Sequence, residues 1–144
     1  MDKKKIIAVV GHTASGKTEL AIRLAERLGG EIVCCDSMQI YRDMDIGTAK
    51  PTEEEREGVL HHLIDIAAAD EPFSCAEYAA LAKQTVAEVI ARGKLPIVAG
   101  GTGLYIDALV AGREFAPFEA DSGLRESLQK RVAEEGLPAL HAEL

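Results

Sequence analysis

Eight residues near the amino terminus, Gly11-His12-Thr13-Ala14-Ser15-Gly16-Lys17-Thr18, have types and spacing suited to holding a phosphate. They fit GxxxxGK[ST], a loop whose glycines let successive backbone amides turn toward an anion. A helix starting at its end adds partial positive charge. Lys17 supplies a full charge for the distal phosphate, and the Thr18 hydroxyl suits a magnesium ion. Such a cradle serves a kinase, an ATPase or a transferase with a diphosphate leaving group equally well, so the reaction must be decided elsewhere. Asp36 ends an apolar run and should face the same site, where it could ligate magnesium, act as a general base or simply cap a turn. Gly100-Gly101-Thr102-Gly103 reaches the same rim, either as a close backbone approach to a ligand or as a strand-to-helix turn. His61-His62 invites a metal, but neighbours on a strand point to opposite faces, so a structural or exposed pair is expected.

These residues need elements to hold them. Ile6 to Val10 is a continuous β-branched run, as for a strand buried on both faces of a parallel sheet. Leu20, Leu24 and Leu28 recur at intervals of four, predicting a helix over 19–28 that stops at Gly29-Gly30. Glu31 to Asp36 reads as a second strand, Leu63 to Ile66 as a short third, and Leu95 to Ala99 as a fourth. Thr52-Glu53-Glu54-Glu55 and Ser74-Cys75-Ala76-Glu77 match the capping box and should open a short and a long helix, the long one carrying Tyr78, Ala82, Val86 and Val89 inward and ending at Gly93. The glutamate run is expected to be a solvated first turn. Strands alternating with helices predict an α/β fold: a P-loop NTPase-like, doubly wound, mostly parallel sheet. After Gly112 the pattern changes. Phe115 to Phe118 resembles a linker, Asp121-Ser122 caps a helix with Leu124, Leu128 and Val132 on one side, and Leu137, Leu140 and Leu144 begin another stripe that is never capped. The division is therefore a core over 1–112 lacking its last strand, then the beginning of a helical insertion over 113–144.

With 144 residues, the chain makes one domain, or one with a fragment of another. No apolar run approaches the ~18–20 residues that cross a bilayer, and the run behind Lys3 to Lys5 is too short for a signal core. Sixteen basic against 24 acidic residues, net −8, argue against a general nucleic-acid coat while leaving room for a local basic groove. Three cysteines without zinc spacing are expected to be reduced thiols in a cytoplasmic protein, Cys34 and Cys35 lying within the second strand.

Taken together, Gly11–Thr18 (GHTASGKT), Asp36–Tyr41 (DSMQIY), Met44–Pro51 (MDIGTAKP), His61–Ile66 (HHLIDI) and Gly100–Tyr105 (GGTGLY) resemble the tRNA dimethylallyltransferases, or tRNA isopentenyltransferases. The resemblance extends through Asp121–Arg125 (DSGLR) to Leu144, and it departs at His12, where the family usually has proline. It implies transfer of a dimethylallyl group from dimethylallyl diphosphate to N6 of adenosine 37 in tRNA, with magnesium as cofactor and the anticodon stem-loop as partner. Gly11, His12, Thr13, Ala14, Ser15, Gly16, Lys17 and Thr18 would hold the diphosphate, Thr18 through magnesium. Asp36, Lys17 and Thr102 would carry catalysis, Asp36 as general base. Asp36, Ser37, Met38, Gln39, Thr102 and Arg125 would contact tRNA. A monomer is expected.

Family members run to about twice this length, as for a core plus a second lobe. On that reading four parallel strands with an uncovered apolar face remain, and this polypeptide alone is expected to be a poor catalyst. Two other readings stand beside it. A P-loop small-molecule kinase would use Asp36 to activate a hydroxyl, and a non-catalytic fragment would bind nucleotide or diphosphate and do nothing more.

Overall fold

A computed structural model describes residues 5–112 and 122–143. Four strands, β1 (Ile7–Val10), β2 (Gly30–Cys34), β3 (His61–His62) and β4 (Leu95–Gly100), form one sheet in the order β1-β4-β2-β3. All three pairings are parallel. Parallel strands need long crossovers; helices α1 (Lys17–Leu28), between β1 and β2, and α2 (Cys75–Ala91), between β3 and β4, supply them, and α3 (Gly103–Val110) follows β4.

The two faces separate by strand alternation. Val9, Ile32 and Ile97 pack with Ala21, Ile22 and Ala25 of α1. Val33, Cys35 and Val98 point the other way and meet Tyr78 and Ala82 of α2 and Tyr105 of α3. Tyr78 and Tyr105 stack with ring centroids 4.0 Å apart, and the buried Tyr78 hydroxyl donates to Cys34 O at 3.0 Å. The fold is thus α/β with a parallel sheet whose β2 and β4 are covered on both faces, while Ala8 and Val10 of β1 stay exposed, so the uncovered apolar face expected from sequence is confined to β1 among the described residues.

The details differ from the sequence expectation in four places. On α1 the buried face is Ala21, Ile22 and Ala25, while Leu20 and Leu28 are half exposed. Small side chains bring the helix close to the sheet, which lifts the flanking leucines away from it. Only Val9 of β1 is buried, because β1 stands at the edge of this sheet rather than inside it. The third strand is His61–His62 and not Leu63 to Ile66, since Leu63 (φ 59°) and Asp65 (φ 58°) adopt left-handed backbone that no strand tolerates. At 52–55 the capping box forms in both directions, Thr52 N to Glu55 Oε2 at 2.8 Å and Glu55 N to Thr52 Oγ1 at 3.2 Å, yet only hydrogen-bonded turns follow. The box at Ser74–Glu77 does open its helix, α2, whose buried Tyr78, Ala82 and Val89 sustain it.

The histidines point to opposite faces. His61, in register with Ile32, takes the α1 side, where its Nδ1–H donates to Val59 O at 2.9 Å. His62 Nε2 meets buried Glu31 at 2.7 Å, and Arg92 donates to the same carboxylate oxygen at 2.6 Å. The Arg92 hydrogen bond, opposed by burial and helped by His62, holds Glu31 below the ordinary 4.5. Burial holds His61 below 6.5. Both groups bind protons more weakly folded than unfolded, so both contribute stability that is lost on acidification. Urea midpoints should be level between about pH 7 and 8, fall as pH drops below 6.5 and fall again below 4.5. His61→Gln should remove the upper step alone, and a midpoint in that variant that still declines between pH 6.5 and 5 would contradict the assignment.

The chain divides into two compact units, Met1–Glu114 and Phe115–Leu144. In the second, α4 (Ser122–Glu135) and α5 (Leu137–His141) are separated by Gly136 (φ 85°), and Arg131 pairs with Glu135 and Glu143. Leu124 and Leu128 of the expected stripe are exposed. The expected linker at Phe115–Phe118 and the cap at Asp121 lie outside the described residues.

Candidate active site

The phosphate-type loop bridges β1 and α1 at the carboxyl edge of the sheet. Gly16 is the residue before α1 and takes φ 79°, a left-handed value that glycine reaches without strain. Ala14, at φ 62°, takes the same conformation with a side chain, at a cost of roughly 1–2 kcal/mol. Left-handed residues alternating with ordinary ones aim successive amides to one side, which is the geometry of an anion nest. Lys17 reaches back over the loop, its ammonium donating to His12 O.

Across from the loop, β2 ends in Cys34, and Asp36 follows two residues later. Its Oδ1 accepts from Met38 N at 2.9 Å and Gln39 N at 3.4 Å, so one oxygen caps the turn over 37–40. Oδ2 accepts no hydrogen bond among the described residues, which leaves it available for chemistry. A Cβ placed on Gly101 would stand 4.0 Å from Oδ2 and 3.7 Å from Gly11 O, so carboxylate and loop face each other across a single residue's width. Gly100 makes this approach possible, since a Cβ there would lie 2.0 Å from Cys35 O.

Thr102 follows β4 and turns its hydroxyl to the Asp36 turn, accepting from Ser37 N at 2.9 Å and donating to Ser37 Oγ at 3.3 Å. It holds that turn from outside the cleft. Burial, foremost, pushes the Cys34 thiol up to about 12 and Cys35 to about 11, so both remain protonated. They are structural thiols rather than nucleophiles.

The cleft between these parts is lined by Thr13, Ala14, Lys17 and Thr18 from the loop and by Asp36 and Gln39 from the facing turn. Its floor is largely apolar, from Ala21, Ile32, Cys34 and Ala99, with His61 beside Ile32. Its third wall, Thr48, Ala49 and Pro51, belongs to a strap over 44–51. Lys50 anchors the strap, its buried ammonium donating to Tyr41 O at 2.8 Å, Asp45 at 2.7 Å and Asp65 at 2.6 Å. Burial pulls the Lys50 pKa down, but the two carboxylates outweigh it and hold it above the ordinary value.

One cleft therefore gathers the loop residues Thr13, Ala14, Lys17 and Thr18 with Asp36 and Gln39. Met38 is exposed at the turn, and Arg125 is exposed on α4 of the other compact unit. The wall residues Thr48, Ala49 and Pro51 and the floor residue His61 had no role assigned from sequence. MDIGTAKP marked the strap, but nothing local in it indicates that it folds across to β2.

The IPP transferase family model matches residues 39–144. The tRNA dimethylallyltransferase of Anaeromyxobacter sp. (strain Fw109-5) is 56% identical over 140 residues, covering 97% of this chain and 46% of that protein. The crystal structure of the full-length tRNA isopentenylpyrophosphate transferase from Bacillus halodurans superposes with a TM-score of 0.78 at 48% identity, over 98% of this chain and 46% of that one. A eukaryotic dimethylallyltransferase acting on tRNA superposes at 0.76 with 33% identity, over 85% of this chain and 31% of its own. The chain spans about half the length of the curated relatives it matches. A nest, a facing carboxylate and a strap built from these segments, together with a family model that matches from Gln39 to Leu144, place the chain in the IPP transferase family.

Proposed function

We propose that the cleft transfers a dimethylallyl group from dimethylallyl diphosphate to N6 of adenosine 37 in tRNA, releasing diphosphate. The observation that carries this reading is a single cleft with a cationic nest at one side, an apolar floor and, at the other, a carboxylate oxygen that accepts no hydrogen bond among the described residues. A kinase needs no apolar floor beside its phosphate site, whereas a five-carbon chain does.

The loop amides and Lys17 bind the diphosphate, Ala21, Ile32 and Ala99 receive the hydrocarbon, and Asp36 faces the incoming adenine. The N6 amine is a weak nucleophile because its lone pair is conjugated with the ring. Asp36 Oδ2 takes the N6 proton as the N6–C1 bond forms and the C1–O bond breaks. Charge then grows on the leaving diphosphate, where Lys17 and the loop amides stabilise it. The adenine leaves the anticodon-loop stack to reach the cleft, at a cost of a few kcal/mol.

The residues fit magnesium held mainly by diphosphate oxygens. Thr18 offers one hydroxyl at the loop, and among the described residues no group of three His, Cys, Asp or Glu could hold a metal by itself. Bound there, the ion would neutralise leaving-group charge.

The fold on this reading is P-loop NTPase-like, residues 1–112 forming the core and 113–144 the beginning of a helical insertion through which Arg125 reaches tRNA. Ser37 and Met38 contact the acceptor beside Asp36. Thr102 reaches the target nucleotide through the turn it holds. A tRNA acceptor and free buried thiols support a cytoplasmic setting, and the chain acts as a monomer. No helix among the described residues is long and apolar enough to cross a membrane.

The test supplies dimethylallyl diphosphate with an anticodon stem-loop RNA and follows the mass of adenosine 37 together with diphosphate release. Gain of one five-carbon unit is the expected result, at a low rate for a chain that spans about half the length of its relatives. Transfer to free AMP but not RNA, γ-phosphate transfer from ATP, or diphosphate binding without transfer to any acceptor would each overturn it.

A further inference from the structure

We propose that Gln39, for which the family resemblance implies RNA contact, is a positioning residue whose side-chain amide holds the strap over 44–51 closed as the wall of the cleft. This rests on the transferase reading above. Both hydrogens of its amide nitrogen are spent on strap carbonyls, Thr48 O at 3.0 Å and Ala49 O at 2.9 Å. Its Oε1 accepts from the Cys34 thiol at 3.4 Å. The opposite amide orientation would set an oxygen against two carbonyl oxygens, so the network fixes which end is which. A Gln39 that read a base through its amide would first have to release the strap.

The strap needs such a tie. Within it Gly47 (φ 83°) and Ala49 (φ 52°) are left-handed, and Ala49 holds that conformation with a side chain, so side-chain bonds are needed to fix its path. Lys50 secures its far end, and Gln39 secures the part that faces the cleft. The Gln39 backbone amide also donates to Asp36 Oδ1. One residue therefore joins the general base to the wall opposite the loop. Its loss should loosen the enclosure of the diphosphate substrate while leaving the RNA-facing residues unchanged.

Gln39→Glu keeps the size but replaces two donors with acceptors, and Gln39→Ala removes them. Both should raise KM for dimethylallyl diphosphate roughly tenfold, the scale of losing one or two such bonds, with KM for the stem-loop within about twofold. Hydrogen exchange should quicken at amides 44–51 and stay unchanged in α1 and α2. A rise confined to KM for RNA, with strap exchange unaltered in both variants, would overturn the proposal. If the wild type transfers nothing to RNA, the functional reading falls separately. Strap exchange then still decides the role of Gln39, faster exchange supporting it and unchanged exchange overturning it.

Discussion

Asp36→Ala is expected to lower dimethylallyl transfer by roughly 10²–10⁴-fold, the usual worth of a positioned general base. Diphosphate affinity should hold or tighten slightly, because the change removes a like charge that faces the anion. Alanine alone would be ambiguous, since Oδ1 also caps the turn through Met38 N and Gln39 N. Asp36→Asn resolves this. Its side-chain oxygen can still cap the turn, but it cannot take a proton at any useful pH. If proton removal is the role, Asn should fall as far as Ala in single-turnover assays with RNA. If Asn keeps its rate within a few-fold while Ala loses it, Asp36 is a turn cap and the base lies elsewhere.

Sequence gave access to the parts of this molecule that are local and periodic. The loop, the helix after it, the capping box at Ser74 and the strand leading into Gly100 each sit in a short window whose residue types serve one purpose. Strand alternation likewise sorts Ile32 from Val33 and Ile97 from Val98. What the pattern could not reveal depends on distant partners. Lys50 looks like a surface lysine until Asp65, fifteen residues on, is seen beside it. Thr102 and Ser37 meet across sixty-five positions. The strap has no period because left-handed residues and side-chain bonds shape it.

The errors share a cause. The leucine spacing of α1 announced the helix but not its buried face, which is Ala21, Ile22 and Ala25, with Leu24 alone of the leucines packed against that cluster. The box at Thr52 satisfies two amides, yet a helix also needs a face to bury, and Glu53, Glu54 and Glu57 are exposed. A continuous apolar run such as β1 announces a parallel strand but not its place in the strand order. Here that place is an edge, with Val10 half exposed.

Lys17→Ala is expected to act on the other half of the chemistry, and to act twice. The ammonium rests on His12 O, held over the loop without a carboxylate partner among the described residues. A diphosphate entering the nest offers it a charged acceptor in place of a neutral carbonyl. Hydrogen bonds to charged groups contribute about 1.5–3 kcal/mol net, so diphosphate affinity should fall by roughly ten- to a hundredfold. Transfer should suffer more than binding, because charge on the departing oxygen increases as the C1–O bond breaks. Removing such a stabilising group typically costs about 10²–10³ in turnover. Lys17→Arg keeps the charge but not the compact ammonium, and should recover part of the affinity and less of the rate. The contrast with Asp36→Asn gives the pair its force, since one variant spares diphosphate binding and the other does not. Calorimetric titration with inorganic pyrophosphate separates them without any acceptor present. If Lys17→Ala bound pyrophosphate within about threefold of wild type, the ammonium would not be part of the cradle, and the loop amides alone would have to hold the leaving group.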